Sequence, residues 1–400
     1  MGQTGFWTQL VHAGEKLAPP AGRPVATPIY ATSAFAYDSM EEVDRVLGGE
    51  TPDYIYTRYG NPTVAALEEA MRTLEAGAAA CAYASGMAAL HAALFTCGLG
   101  PGSTVLASRD LYGASFALLS KIFGSVGVKT VTADFNDLDA LRVSAHAVKP
   151  AVLLAETLSN PLLKVCDIAG CSAIAREVGA RFIVDNTFAS PFLCQPLVLG
   201  ADFTVHSATK YLGGHADAMG GIVVARDGRD GASLLSVKKL VGGMLGVWDA
   251  HLILRGVKTL ALRLEKQCGH ARRLADHLGT HRRIARVHYP GLSTAAASGL
   301  LGRVLRAPHA GALVSIELKK NTREAAFRFM NALQLCVRLT SLGDVFTGVS
   351  HSASSSHREV PRADRAAIGI TEGLVRIAVG IEDMADVEAD IDQALEAGAG

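Results

Sequence analysis

Five short β-prone runs punctuate the middle of the chain: Thr104–Ala107, Val128–Val131, Ala151–Leu154, Arg181–Val184 and Phe203–Val205. Helix-compatible stretches separate them, such as Ile168–Val178, which Gly179 is suited to cap at its C-terminus. The runs are nearly continuous in apolar residues. Only a sheet covered on both faces tolerates such strands, and their alternation with helices makes that sheet mostly parallel. Ligands of such sheets sit beyond the carboxyl ends of the strands. The residues that follow each run are therefore the first place to look for chemistry.

The flanks read differently. In residues 1–65, Pro19-Pro20, Pro24 and Pro28 keep the chain extended, as in an arm that wraps a neighbouring subunit. Val64–Ala76 predicts a helix with Leu67, Met71 and Leu74 on one stripe. No Asp, Glu, Lys or Arg occurs between Glu75 and Arg109. This stretch is long enough to span a bilayer, but its small residues, Pro101, Ser85 and His91 fit a helix lying flat on a sheet. A helical region from about Ala250 to Leu278 leads into a smaller α/β unit. That unit holds a strand at Ala312–Ile316, a helix near Arg323–Leu333, a strand at Leu374–Val379 and a helix after Asp383. The expected division is an arm over 1–65, a large domain over 66–260 and a small domain over 261–400. The Ser-rich segment Ser350–Ser356 reads as a solvated loop or a lid.

Hydrophobic residues make up 49% of the 400 and charged residues 19%, which excludes a disordered chain. The formal net charge is +0, so nothing global draws the protein to nucleic acid or an anionic membrane. Seven cysteines form no CxxC pair, and they read as reduced thiols of a cytoplasmic protein. The first residues lack a basic start and an apolar core, so no signal peptide is expected. GxGxxG, GxxxxGK, GxSxG and HExxH are all absent, and the thirteen histidines show no metal spacing.

Three strand ends carry reactive groups. Asp185-Asn186-Thr187 follows one run, His206-Ser207-Ala208-Thr209-Lys210 follows another, and Glu156-Thr157-Leu158-Ser159-Asn160 a third. A desolvated lysine condenses with carbonyls, and an aspartate can pair with a pyridinium nitrogen. Ser85-Gly86-Met87 precedes an Ala-rich helix, whose first backbone N–H groups could meet a phosphate. Each feature alone has an ordinary alternative: a surface lysine, a capping aspartate, a helix cap.

In order along the chain stand Tyr56-Thr57-Arg58-Tyr59-Gly60-Asn61-Pro62-Thr63, Ser85-Gly86-Met87-Ala88-Ala89, Tyr112-Gly113, Asp185-Asn186-Thr187 and Ser207-Ala208-Thr209-Lys210-Tyr211, then Ser341-Leu342-Gly343 and Leu374–Glu382. Together, from Val11-His12-Ala13-Gly14 onward, they resemble the Cys/Met-metabolism (trans-sulfuration) family of pyridoxal-phosphate enzymes. The resemblance implies an α/β fold of the fold-type-I, aspartate aminotransferase-like kind, with a mostly parallel, seven-stranded type of sheet and a smaller C-terminal domain. It implies that Lys210 holds the cofactor, that Asp185 keeps its ring nitrogen protonated, and that Tyr112 stacks on the ring and protonates the leaving group. Gly86, Met87, Ser207 and Thr209 would hold the phosphate, joined by Tyr56 and Arg58 from a neighbouring subunit. Arg376, with Ser341 and Asn160, would clamp the substrate α-carboxylate. A homo-oligomer follows, expected as a tetramer of two active dimers.

The family's cystathionine enzymes carry a glutamate shortly after Ser-Leu-Gly, where this chain has Phe346, and its methionine γ-lyases have cysteine after Tyr-Gly, where this chain has Ala114. The expected activity is γ-elimination from a γ-substituted L-amino acid, giving 2-oxobutanoate and ammonia. The alternative is γ-replacement, as in cystathionine γ-synthases and O-acylhomoserine sulfhydrylases. An aminotransferase is disfavoured by Tyr112, Tyr56 and Arg58, and a non-catalytic scaffold by intact Lys210, Asp185 and Arg376.

Overall fold

The computed structural model describes residue 22 and residues 24–398; Val11–Gly14 and Pro19-Pro20 lie outside the described residues. Twelve strands form two sheets. The larger contains β1 (Ala79–Tyr83), β2 (Thr104–Ser108), β3 (Lys129–Ala133), β4 (Val152–Glu156), β5 (Arg181–Asp185), β6 (Phe203–Ser207) and β7 (Gly221–Ala225) in the order β1-β7-β6-β5-β4-β2-β3. Pairing is parallel from β6 across to β3, and β7 alone runs against its neighbours β1 and β6. All five expected runs are strands of this sheet. Its two faces bury separate apolar layers. Phe182 and Val184 of β5 point to one and Ile183 to the other, so neither face meets water.

The smaller sheet orders β10 (Val337–Arg338), β11 (Gly348–His351), β12 (Leu374–Ala378), β9 (Leu313–Leu318) and β8 (Ile284–His288), antiparallel except for β10 with β11. Helices Leu260–Gly279, Arg323–Ala332 and Met384–Ala397 contribute to its core.

Several expectations need correction. The uncharged stretch after Glu75 is not helix alone: the strand β1 precedes the helix Gly86–Thr96. β1 is built from Ala-Ala-Cys-Ala-Tyr, a composition that carries little β signal, and it forms by pairing with β7 along its whole length. The region 250–278 is two helices, Val247–Val257 and Leu260–Gly279, separated at Lys258-Thr259. The Ser-rich segment is no solvated loop. β11 and a short 3-10 turn at Ser352–Ser354 bury Ser350, His351 and Ser352.

Within the arm, residues 24–61 hold one short helix, Met40–Leu47. The arm is tied down where the helix Pro62–Leu74 begins. Buried Asn61 caps that helix by accepting from the Thr63 N–H (2.9 Å), and its amide donates to the Tyr30 carbonyl (2.9 Å).

Candidate active site

A cleft opens where β4, β5 and β6 end, with an empty volume, mouth included, of ≈ 970 Å³, within the usual size of a small-molecule site. Gly86, Met87, Tyr112, Asn160, Asp185, Ser207, Thr209, Lys210 and Arg376 all line it. The carboxyl ends of the parallel strands thus hold the site, as the topology requires.

One end of the cleft is built for an anion. Ser85 caps the helix Gly86–Thr96 by accepting from the Ala88 N–H (3.1 Å). The N–H groups of Gly86 and Met87 are left without intrahelical partners at the positive end of the helix dipole. The Ser207 and Thr209 hydroxyls come from the turn that carries Lys210. Glycine is obligatory at 86, since a Cβ there would stand 2.8 Å from the Ser207 Cβ.

At the other end, Asp185 closes β5 and Glu156 closes β4, and the two are paired in register. Burial raises the pKa of each, and the neighbouring Asp185 charge raises that of Glu156 further. A carboxyl raised on folding contributes stability fully below its unfolded value, about 4, and loses it as pH climbs through the raised folded value. The cofactor-free protein is therefore expected to lose melting temperature, relative to its Glu156→Gln variant, as pH rises from about 4 to about 8. Parallel melting curves of the two across that range would mean that Glu156 titrates as it does when unfolded.

Lys210 lines the same cleft. Its Nζ donates to the Ser341 Oγ (2.9 Å), and it makes no ion pair. Burial and the Arg376 charge lower its pKa, against an opposing pull from Asp344. Arg376 sits centrally on β12 and is 3% exposed. Its Nη1 donates to the Asn160 Oδ1 (2.9 Å) and its Nη2 to the Ser341 carbonyl (3.1 Å), while buried Nε has no partner. Burial lowers its pKa to about 10. Among the described residues no carboxylate lies within ion-pair distance, so a desolvated guanidinium faces the cleft without a counter-ion. A ligand carboxylate meets that need with two parallel hydrogen bonds.

The loop bearing Ser341 approaches the lysine turn backbone to backbone. At Gly343 (φ +86°) a Cβ would stand 2.6 Å from the Tyr211 nitrogen and 2.9 Å from the Lys210 carbonyl carbon.

Ser341 bonds to both Lys210 and Arg376 but does not line the cleft; its neighbours Thr340 and Leu342 do. Tyr56 and Arg58 do not reach this chain's own cleft. Arg58 Nη1 instead donates to the Lys239 carbonyl (2.5 Å), with its guanidinium over the Tyr59 ring. Phe346 is not a lining residue either. Thr187, Phe188, Met219 and Glu156 also line the cleft, with no role assigned to them from the sequence; Glu156 ends its strand as Asp185 ends the next, which is a usable signal.

The residues present fit pyridoxal phosphate: an anion cradle, a buried carboxylate for a ring nitrogen, and a desolvated lysine, all lining one cleft. The sequence profile of the Cys/Met metabolism PLP-dependent enzymes matches residues 7–396. The chain belongs to that family. It is 42% identical over 397 residues to the L-methionine gamma-lyase of Pseudomonas deceptionensis, with 98% of each chain covered. Cystathionine gamma synthase from Xanthomonas oryzae pv. oryzae, solved with aminoacrylate and cysteine, superposes with a TM-score of 0.87 at 36% identity, covering 94% of this chain and 93% of that one. A putative O-acetylhomoserine (thiol)-lyase from Campylobacter jejuni superposes with a TM-score of 0.88 at 29% identity, covering 95% and 97%; that structure carries N'-pyridoxyl-lysine-5'-monophosphate. The protein is thus a fold-type-I, pyridoxal-phosphate-dependent enzyme of sulfur amino-acid metabolism.

Proposed function

We propose that this enzyme catalyses γ-elimination from an L-amino acid with an uncharged γ-substituent, L-methionine being the model substrate. Methionine and water then give 2-oxobutanoate, ammonia and methanethiol. The observation that carries this reading is the make-up of the cleft wall. Its only carboxylates among the described residues, Asp185 and Glu156, are committed: Asp185 to the ring end and to the Thr187 N–H (2.9 Å), Glu156 to two backbone donors. The rest of the wall includes Met87, Leu90, Leu158, Phe188 and Leu342. A distal ammonium such as cystathionine's finds no free partner there, whereas a thioether is at home. The similarity to L-methionine gamma-lyase agrees.

Pyridoxal phosphate, when bound, supplies the electron sink that makes the Cα and Cβ protons acidic. The chain's own side chains do the rest. Arg376 and Asn160 receive the α-carboxylate and fix the direction of the Cα–H bond. Lys210, depressed in basicity by burial, moves protons from Cα and Cβ through Nζ. Asp185 holds a proton at the ring nitrogen, and the Tyr112 hydroxyl delivers one to the departing sulfur.

The competing reading is γ-replacement, in which a thiol adds where the group has left; the likeness to cystathionine gamma synthase supports it. An assay of 2-oxobutanoate and ammonia release from methionine, homocysteine, cystathionine and O-acetylhomoserine, with and without added thiol, separates the two. Methionine is expected to release oxo acid without thiol. Oxo-acid release that thiol suppresses, with a new thioether formed, would make the protein a synthase.

The assembly read into the cleft is a homo-oligomer whose active unit is a dimer, two of which form a tetramer. Supporting it, the lining cations of one chain are Lys210 and Arg376 alone among the described residues, so the phosphate end lacks one. Tyr56 stands 42% exposed beside Arg58, which supports a role for the pair toward a second copy. No helix among the described residues is long and apolar enough to cross a membrane. The seven cysteines are all free thiols, which supports a cytoplasmic setting.

A further inference from the structure

Glu156 occupies a position that the chemistry above does not use. Its Oε1 accepts from the Tyr112 N–H (2.6 Å) and its Oε2 from the Asn160 N–H (3.2 Å). The two donors come from different loops, one after β2 and one after β4. Tyr112 begins the helix Gly113–Ala117 and has no side-chain cap of its own. Asn160 in turn accepts from Arg376 through its Oδ1 (2.9 Å). A single side chain therefore joins the residue placed over the ring end of the cleft to the residue that steadies the guanidinium. The hydrogen-bonded line continues through Arg376 and Ser341 to Lys210.

A space-filling role would not call for a carboxylate. Burying one beside Asp185 is costly, and an apolar side chain of the same volume would avoid that cost. What a carboxylate offers here, and an amide does not, is two acceptor oxygens for two backbone donors. A glutamine would turn one of these oxygens into an NH₂ group facing an N–H.

We propose that Glu156 is a positioning residue for amino-acid ligands: by bridging the Tyr112 and Asn160 loops it sets the Asn160–Arg376 grip on the ligand carboxylate. The proposal rests on reading the cleft as an amino-acid site, but not on which bond is broken there.

The test uses cofactor-loaded enzyme and two ligands without a leaving group. These are L-norleucine, in which CH₂ replaces methionine's sulfur, and 1-aminopentane, the same chain without the carboxylate. Binding is followed by the change in visible absorption of the bound cofactor. Leaving a buried backbone N–H without its acceptor corresponds to a factor of about ten to a hundred in affinity. Glu156→Gln should weaken norleucine by about that factor and aminopentane by less than about threefold. Glu156→Asp keeps the carboxyl group but is a methylene short; it should fall between Gln and wild type, and it serves if the Gln variant does not fold.

Norleucine bound with wild-type affinity by either folded, loaded variant would overturn the proposal. Equal weakening of the two ligands would overturn it as well, since Glu156 would then act through the cofactor or the fold. Failure of the γ-elimination reading shows elsewhere, in the oxo-acid assay on unmodified enzyme, because norleucine has nothing to eliminate.

Discussion

Lys210→Ala is expected to leave a folded protein whose turnover of any γ-substituted amino acid falls by about a thousandfold or more. The size follows from the two duties of one nitrogen, holding the cofactor covalently and carrying protons between carbon atoms, each worth orders of magnitude. The fold should tolerate the change. Lys210 makes one side-chain hydrogen bond, to Ser341, and no ion pair, and burial disfavours its charged form. Removing it deletes a desolvated amine rather than a structural tie. Melting temperature and oxo-acid release, measured on the same preparation, check both halves. A variant retaining a tenth of wild-type turnover would remove Lys210 from the centre of the site.

The second large effect is expected at Arg376. Arg376→Ala should lower kcat/KM by roughly 30- to several thousandfold, the range for truncating one member of a buried hydrogen-bonded charge pair. Most of the loss should fall on KM, because the guanidinium meets a carboxylate that is as charged before reaction as during it. Arg376→Lys should recover only part, since an ammonium restores the charge but not the two-pronged geometry. The alanine variant also leaves the Asn160 Oδ1 and the Ser341 carbonyl without their donor, so its melting temperature belongs beside its kinetics. An unchanged KM would place the carboxylate somewhere else.

How much of this was legible beforehand depended on whether the signal was local. The five runs of the parallel sheet announce themselves because they are β-prone and separated by helix-compatible stretches, and the central ones are apolar on both faces. Lys210, Asp185 and Gly86 follow from strand ends and a helix start, positions that the topology singles out. β1 escaped because its strand character comes from pairing with β7 across a long separation, and a run such as Ala79–Tyr83 has little β preference of its own; β7 carries a legible Ile-Val-Val signal, though it stands outside the five runs. The buried state of Ser350–Ser352 escaped for the converse reason. Serine advertises a loop, yet Ser350 lies opposite Arg376 in the β11–β12 pairing and is enclosed by it. Glu156 was visible as a letter but not as a function, since its two partners are 44 residues behind and four ahead, and only folding brings them to one carboxylate.

The backbone contact at Gly343 means that the two sheets cannot be adjusted independently. A single methyl group there would act as a wedge between the smaller sheet and the lysine turn, and no rotamer could relieve it, because the obstacles are main-chain atoms. The distances to stretch first would be those of Ser341, which touches Lys210 with its hydroxyl and Arg376 with its carbonyl. The width of that seam is therefore a gauge of how far the group that takes the proton stands from the group that grips the acid, and hydrogen in place of a side chain sets it at its minimum.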